Sequence, residues 1–256
     1  MLRRGEVDVA YLLDAPMAQE VKQDRNLRLV FSGGIATYYL DFLDMWDPKS
    51  PWADRRVRLA ANFAINRQEL SQAETLGASP ATGSIVPRTF EFALPIDPYP
   101  YDPAKAKQLL TEAGYPNGFD AGDLLPWPPY FSAGETITNY LQAVGIKTRV
   151  RTMERAAFYS ALAAKKLKGV CMCLNAVYGN AASRMSESVP SNGTFAYGGY
   201  PTSTPYIGSR HRKSTQRGAP NYSSKSNSSS MNASGSHRFS STSGPALWVQ
   251  GLQIQR

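Results

Sequence analysis

Along this chain the spacing of apolar positions alternates between two residues and three to four. Val7 to Leu13 and Leu27 to Phe31 read as buried strands, and Ile35 to Phe42 is β-rich with Tyr38 and Tyr39 at its centre. Asp54 can cap a helix whose apolar stripe is Val57, Ala60, Ala61 and Ala64. A Gly- and Pro-containing loop from Gly77 to about Pro100 follows. Asp102 is then a good N-cap and Pro103 suits the first helical position. Ala106, Leu109, Leu110 and Ala113 share a face of this helix, and Gly114 and Pro116 end it. Ser132 and Glu135 form a capping-box pattern ahead of a helix with Ile137, Tyr140, Leu141 and Val144 on one side and Gly145 as its stop. Ile146, Thr148 and Val150 alternate with Lys147, Arg149 and Arg151, which predicts a half-exposed strand. Glu154 to Lys166 reads as a helix with basic residues in its last turn, and Val170 to Leu174 as a buried strand. Strand, helix, strand in this order predicts a parallel pair with a right-handed crossover, so the body is α/β.

Charge changes the picture at one end only. The formal net charge is +8, but no Asp or Glu follows Glu187, and seven Lys or Arg fall between Thr202 and Arg256. Removing those seven leaves residues 1–201 near +1, so the basicity belongs to the tail. Fourteen of the 55 residues from Thr202 onward are Ser, and apolar residues are scarce until Ala246. A segment of this composition buries too little surface to offset its ordering entropy, which predicts disorder over 202–256. A basic tail of this kind could bind nucleic acid or an anionic surface through phosphate contacts, but it interleaves few aromatics and carries no motif.

The remaining chemistry is sparse. Cys171 and Cys173 are too close in sequence for an unstrained disulfide and lie on one side of a strand, where they read as small buried hydrophobes. The only histidines, His211 and His237, lie in the tail, so the body offers neither a His base for a nucleophile nor a Cys–His metal set. No spaced carboxylate pair and no phosphate-cradling glycine loop occurs, which predicts a protein that is not an enzyme and has neither cofactor nor metal. No run of 18 apolar residues is present. Met1 to Asp8 lacks a following signal-peptide core, which leaves this chain without a visible export route of its own.

Four segments, in order, carry a resemblance. Gly5-Glu6-Val7-Asp8-Val9-Ala10 looks like a G-x-x-D-x-A stretch. The block from Ala53 to Arg67 and the helix from Tyr101 to Tyr115 are the most specific matches. Leu141-Gln142-Ala143-Val144-Gly145-Ile146 looks like an L-x-x-x-G-I turn. Together, over about Gly5 to Pro201, they resemble the family 5 extracytoplasmic solute-binding proteins, the dipeptide, oligopeptide and nickel receptors of ABC importers.

The resemblance implies a type II periplasmic-binding-protein-like fold that closes on its solute by hinge motion. It implies crossover strands near the inter-lobe hinge over 1–45 and most of the second lobe over 46–201, with roughly half of the usual receptor absent. The tail from 202 is expected to be a frameshifted end. Codons for Thr202 to Ile207 can be chosen so that a one-base slip reads D-I-D-A-L-Y, which after Tyr200-Pro201 is similar to the family's Y-P-x-I-D-x-L. The expected partners are a small solute (a peptide, an opine, a sugar-like molecule or a metal complex) and membrane permease subunits, with no nucleic acid. The chain is expected to be a monomer, periplasmic by resemblance.

Val170 to Asn180 is similar to a region that often reads W-x-x-D-Y-P-D-P in peptide binders. Here Leu174, Val177 and Asn180 replace the Trp and both acids, and Tyr178 is kept, so an acidic partner for a peptide ammonium is missing there. Candidate solute contacts are Tyr39, Asn175 and Tyr178. Trp127, in Pro126-Trp127-Pro128-Pro129-Tyr130, reads as packing under a loop or as a loop at the cleft. Half a cleft touches half a solute, so negligible affinity is expected of this chain alone.

Overall fold

A computed structural model describes residues 1–11, 13, 15–31, 36–91, 93–176, 181–199, 246–247 and 252–255. A five-stranded sheet positions everything that follows. Its order is β5 (Ile146–Val150), β4 (Phe119–Leu125), β6 (Val170–Ala176), β3 (Ala36–Phe42) and β7 (Ala246–Leu247). β4 runs parallel to both β5 and β6, and β3 runs antiparallel to β6 in a register that pairs Ala36 with Ala176 and Phe42 with Val170. A second, three-stranded sheet places β8 (Leu252–Gln255) between β1 (Val9–Tyr11) and β2 (Arg28–Phe31), antiparallel to both.

The expected parallel pair is present, but β5 and β6 are not neighbours. β4 lies between them, and the sequence reading had no strand there. The reason is local: Asp120, Gly122 and Asp123 break the apolar alternation, and the register slips between Asp120 and Gly122. The expected buried strand over Val7–Leu13 shortens to three residues, and Val9 is half exposed. Within the tail, two short stretches, β7 and β8, are strands. They fall where apolar residues return, with Leu252 and Ile254 alternating with Gln253 and Gln255. Residues 202–245 lie outside the described residues.

Helices cover the sheet as their stripes dictate. α2 (Arg55–Ala64) is capped by the Asp54 carboxylate, which accepts from Arg56 N, and Val57, Ala60, Ala61 and Ala64 are all buried. It packs on α4 (Pro103–Glu112), where Asp102 accepts from Lys105 N at 2.8 Å. α5 (Phe131–Ala143) buries Ile137 and Leu141, but the Ser132 hydroxyl donates to Glu74 Oε2 at 2.7 Å rather than capping, so the expected capping box does not form. α6 (Arg155–Ala163) is capped by Glu154 and ends before the lysines. Lys165 takes a left-handed φ of 55° and Lys166 N bonds Ala161 O, a Schellman-type closure that leaves the basic residues outside the last turn. The remaining helices are α1 (Ala15–Gln23), α3 (Arg67–Thr75) and α7 (Ala181–Ser188).

The core covers both faces of the large sheet. Leu40, Phe42, Val170 and Met172 are buried on one face and Tyr39, Cys171 and Cys173 on the other, and Phe42 stacks on Trp52 with centroids 4.2 Å apart. Two buried arginines, Arg58 and Arg67, tie loops to this core through backbone carbonyls. The Arg67 guanidinium donates to Asn62 O, Asn62 Oδ1 and Tyr99 O, which moors the long loop before α4, and burial lowers its pKa to about 10.

Candidate functional site

β4 ends at Leu125 and β5 at Val150, side by side; β6 starts beside them, with Val170 paired to Leu124, and runs on past them to Ala176, where antiparallel β3 begins. Clefts outside the carboxyl ends of parallel strands are where open α/β sheets bind ligands. An aromatic cluster lies beyond the carboxyl ends of β4 and β5. The Tyr38 ring lies edge-on to Trp127 at 5.7 Å and to Tyr130 at 5.0 Å, and Trp127 and Tyr130 stack at 5.8 Å. Tyr159, from the first turns of α6, meets Trp127 edge-on, and its hydroxyl accepts from Trp127 Nε1 at 3.0 Å. The Arg155 guanidinium stands 5.0 Å from the Trp127 ring centroid.

Local sequence explains the arrangement. Pro126 to Tyr130 leaves β4 and enters α5 directly, and Gly134 of α5 lets the two approach. A Cβ on Gly134 would come within 2.7 Å of Pro126 Cβ. Glu154 caps α6 through bonds to Ala156 N and Ala157 N, which fixes the helix start that carries Arg155. Tyr38 and Trp127 are buried, whereas Tyr159 is 37% exposed and Arg155 is exposed, so the cluster has an apolar floor and a wet, cationic rim. Burial, then the neighbouring Tyr130 phenol, pushes the Tyr38 pKa far above the ordinary phenol range, so Tyr38 stays neutral.

The other face of β3 carries Thr37, Tyr39 and Asp41, opposite Asn175, Cys173 and Cys171 of β6. Tyr39 is buried there, with Ser188 as a hydrogen-bond partner. The Cys171 and Cys173 sulfurs are 2.7 Å apart and both residues are buried. The hydrogen bond to Cys171 and burial hold the Cys173 thiol well above its usual pKa, against thiolate chemistry. Burial also raises the Asp41 carboxyl to about 6.

Of the candidate contacts, Tyr39 therefore points away from the aromatic cluster, and its neighbour Tyr38 joins it. Asn175 stands near the end of β6, opposite Thr37 in register. Tyr178 lies outside the described residues. Arg155 and Tyr159 escaped the sequence reading. The available signal was a basic residue at a helix start directly after a strand end, but its proximity to Trp127 is a fact of the fold. A shallow pocket of about 380 Å³, bordered by Lys107, Tyr115 and Gln142, opens at the opposite end, where β4 and β5 begin. Among the described residues no group of three His, Cys, Asp or Glu is placed to hold a metal ion, and no helix is long and apolar enough to cross a membrane.

The profile of the bacterial extracellular solute-binding proteins, family 5 middle, matches residues 1–196. The chain belongs to this family. Within the family 5 proteins it is 37% identical over 160 residues to the glutathione-binding protein GsiB of Salmonella choleraesuis, covering 60% of this chain and 30% of that relative. GsiB of Escherichia coli is 36% identical over the same length. The fold is that of periplasmic binding proteins. DppA from Helicobacter pylori, in complex with the peptide STSA, superposes with a TM-score of 0.73 at 16% identity, over 99% of this chain and 49% of that one. A dipeptide-binding protein from a Pseudoalteromonas species, in complex with Met-Leu, gives 0.71 at 16% identity, over 99% and 50%. NikA from Staphylococcus aureus, in complex with Ni(L-His)2, gives 0.67 at 12% identity, over 100% and 54%. The chain thus spans about half the length of these solved relatives and 30% of the curated ones.

Proposed function

We propose that this chain supplies one solute-contacting wall of a substrate-binding component of an ABC importer. In this reading the protein captures a small peptide-like solute between two lobes, leaves it unchanged and presents it to a membrane permease from the periplasmic side. The observation that carries the reading is the aromatic cluster of Tyr38, Trp127, Tyr130 and Tyr159 beyond the carboxyl ends of parallel β4 and β5, in a family 5 fold. Such rings supply apolar contact area at a wet surface. Tyr39, buried against Cys173, then holds the sheet rather than the solute. The names of the relatives support a peptide-like solute class: glutathione, a tetrapeptide and a dipeptide.

A single wall binds weakly. An affinity near about 1 mM, roughly −4 kcal/mol, is expected for the chain by itself. Titration of the 15N-labelled chain with glutathione, short peptides, histidine–nickel complexes and a monosaccharide, followed by amide and indole NMR shifts, tests this. Shifts gathered at Trp127, Tyr130 and Tyr159 support the reading. Shifts confined to the pocket beside Lys107 and Gln142, or none with any solute at tens of millimolar, refute it.

A further inference from the structure

We propose that Arg155 reads a carboxylate of the solute, so that the site selects small solutes of net negative charge. This rests on the solute-binding reading above and adds to it the charge of the ligand and the residue that senses it.

Arg155 is the cationic group at the rim of the aromatic cluster. A guanidinium lying over an aromatic ring uses its face for the ring and keeps its in-plane N–H groups available, in a fork that matches a carboxylate. The neighbouring charges are already engaged. The Glu154 carboxylate accepts from Ala156 N and Ala157 N, and that engagement lowers its pKa. Asp123 pairs with Arg151 at 3.4 Å and with Arg149 at 3.9 Å. Among the described residues no carboxylate forms an ion pair with Arg155. The Trp127 N–H is satisfied by Tyr159 Oη, so the ring floor offers a solute contact area rather than a donor.

The sequence removes the opposite preference. In the sequence, Val177 and Asn180 are neutral where the resemblance to peptide binders puts acids. A positive rim favours anions and disfavours cations. A solute with a carboxylate at Arg155 and an apolar or planar part on Trp127 and Tyr159 satisfies both halves of the surface.

The test uses the full chain, with the Trp127 indole resonance identified by Trp127→Phe. Three probes are titrated into wild type, Arg155→Gln and Arg155→Lys: glutathione, its diethyl ester with both carboxylates blocked, and the zwitterion alanyl-leucine. In wild type, glutathione is expected to shift the Trp127 indole at concentrations several-fold lower than either other probe. Arg155→Gln is expected to weaken glutathione about tenfold while leaving the ester unchanged. Arg155→Lys, which keeps the charge without the fork, is expected to fall between. If glutathione binds wild type and Arg155→Gln equally, or the ester binds wild type as well as glutathione does, the inference fails while the solute-binding reading stands. If no probe moves any resonance of the cluster, both fall together.

Discussion

Asp41 shares a face of β3 with Tyr39 and lies across from Cys171, a position where ionisation is costly. Burial raises its folded pKa from 3.8 to about 6. Between those values the unfolded chain releases the proton and the folded chain retains it, so stability falls as pH rises through that window. The loss is complete above about 6 and is on the order of 1–3 kcal/mol. Asp41→Asn removes the titration and keeps the shape. Urea unfolding at pH 4 to 8 should show the variant gaining on wild type as pH rises; a constant difference across that range would sink the assignment. None of this was legible in the sequence, because an Asp in an apolar run reads as a solvent-facing residue. The tyrosines were half legible. Alternation showed that only one of Tyr38 and Tyr39 could face a cleft, but which one depends on the sheet face that meets the 126–130 loop, and that contact spans nearly ninety residues.

At the scale of elements, what could be read was what carried its own punctuation. α2 and α4 each have a side-chain cap and an unbroken stripe, α4 has a Gly and Pro stop as well, and both stand where the pattern put them. β4 could not be read, because a strand that binds neighbours on both sides can tolerate Asp120, Gly122 and Asp123 when a bulge turns them outward. α1, with few buried residues, lacked a stripe broad enough to announce it. The start of β4 against β5 depends on two glycines. Gly118 has φ of 73° and Gly145 of 100°, Phe119 N bonds Gly145 O at 3.0 Å, and a Cβ on Gly118 would collide with the Gly145 carbonyl. Gly118→Ala should therefore lower unfolding stability by about 2 kcal/mol or more, through backbone strain and the clash together. Denaturation at fixed pH decides this: a change within about 0.5 kcal/mol would mean that the two strand starts can separate freely.

For the whole molecule, the two sheets differ in how deeply they are buried. β3 and β6 carry Leu40, Phe42, Val170 and Met172 in the core, whereas β1 has only three residues, with Val9 half exposed. Hydrogen exchange should follow: amides of β3, β4 and β6 exchange orders of magnitude more slowly than those of β1 and β2. Uniform protection across both sheets would show instead that they unfold as one unit. The antiparallel course of β3 has a consequence of its own. β6 runs towards the end at which β3 begins, so Ala36, the first residue of β3, lies only two residues from Tyr38. A displacement of the strand's first residues would therefore move the Tyr38 ring against Trp127 and Tyr130 with little slack.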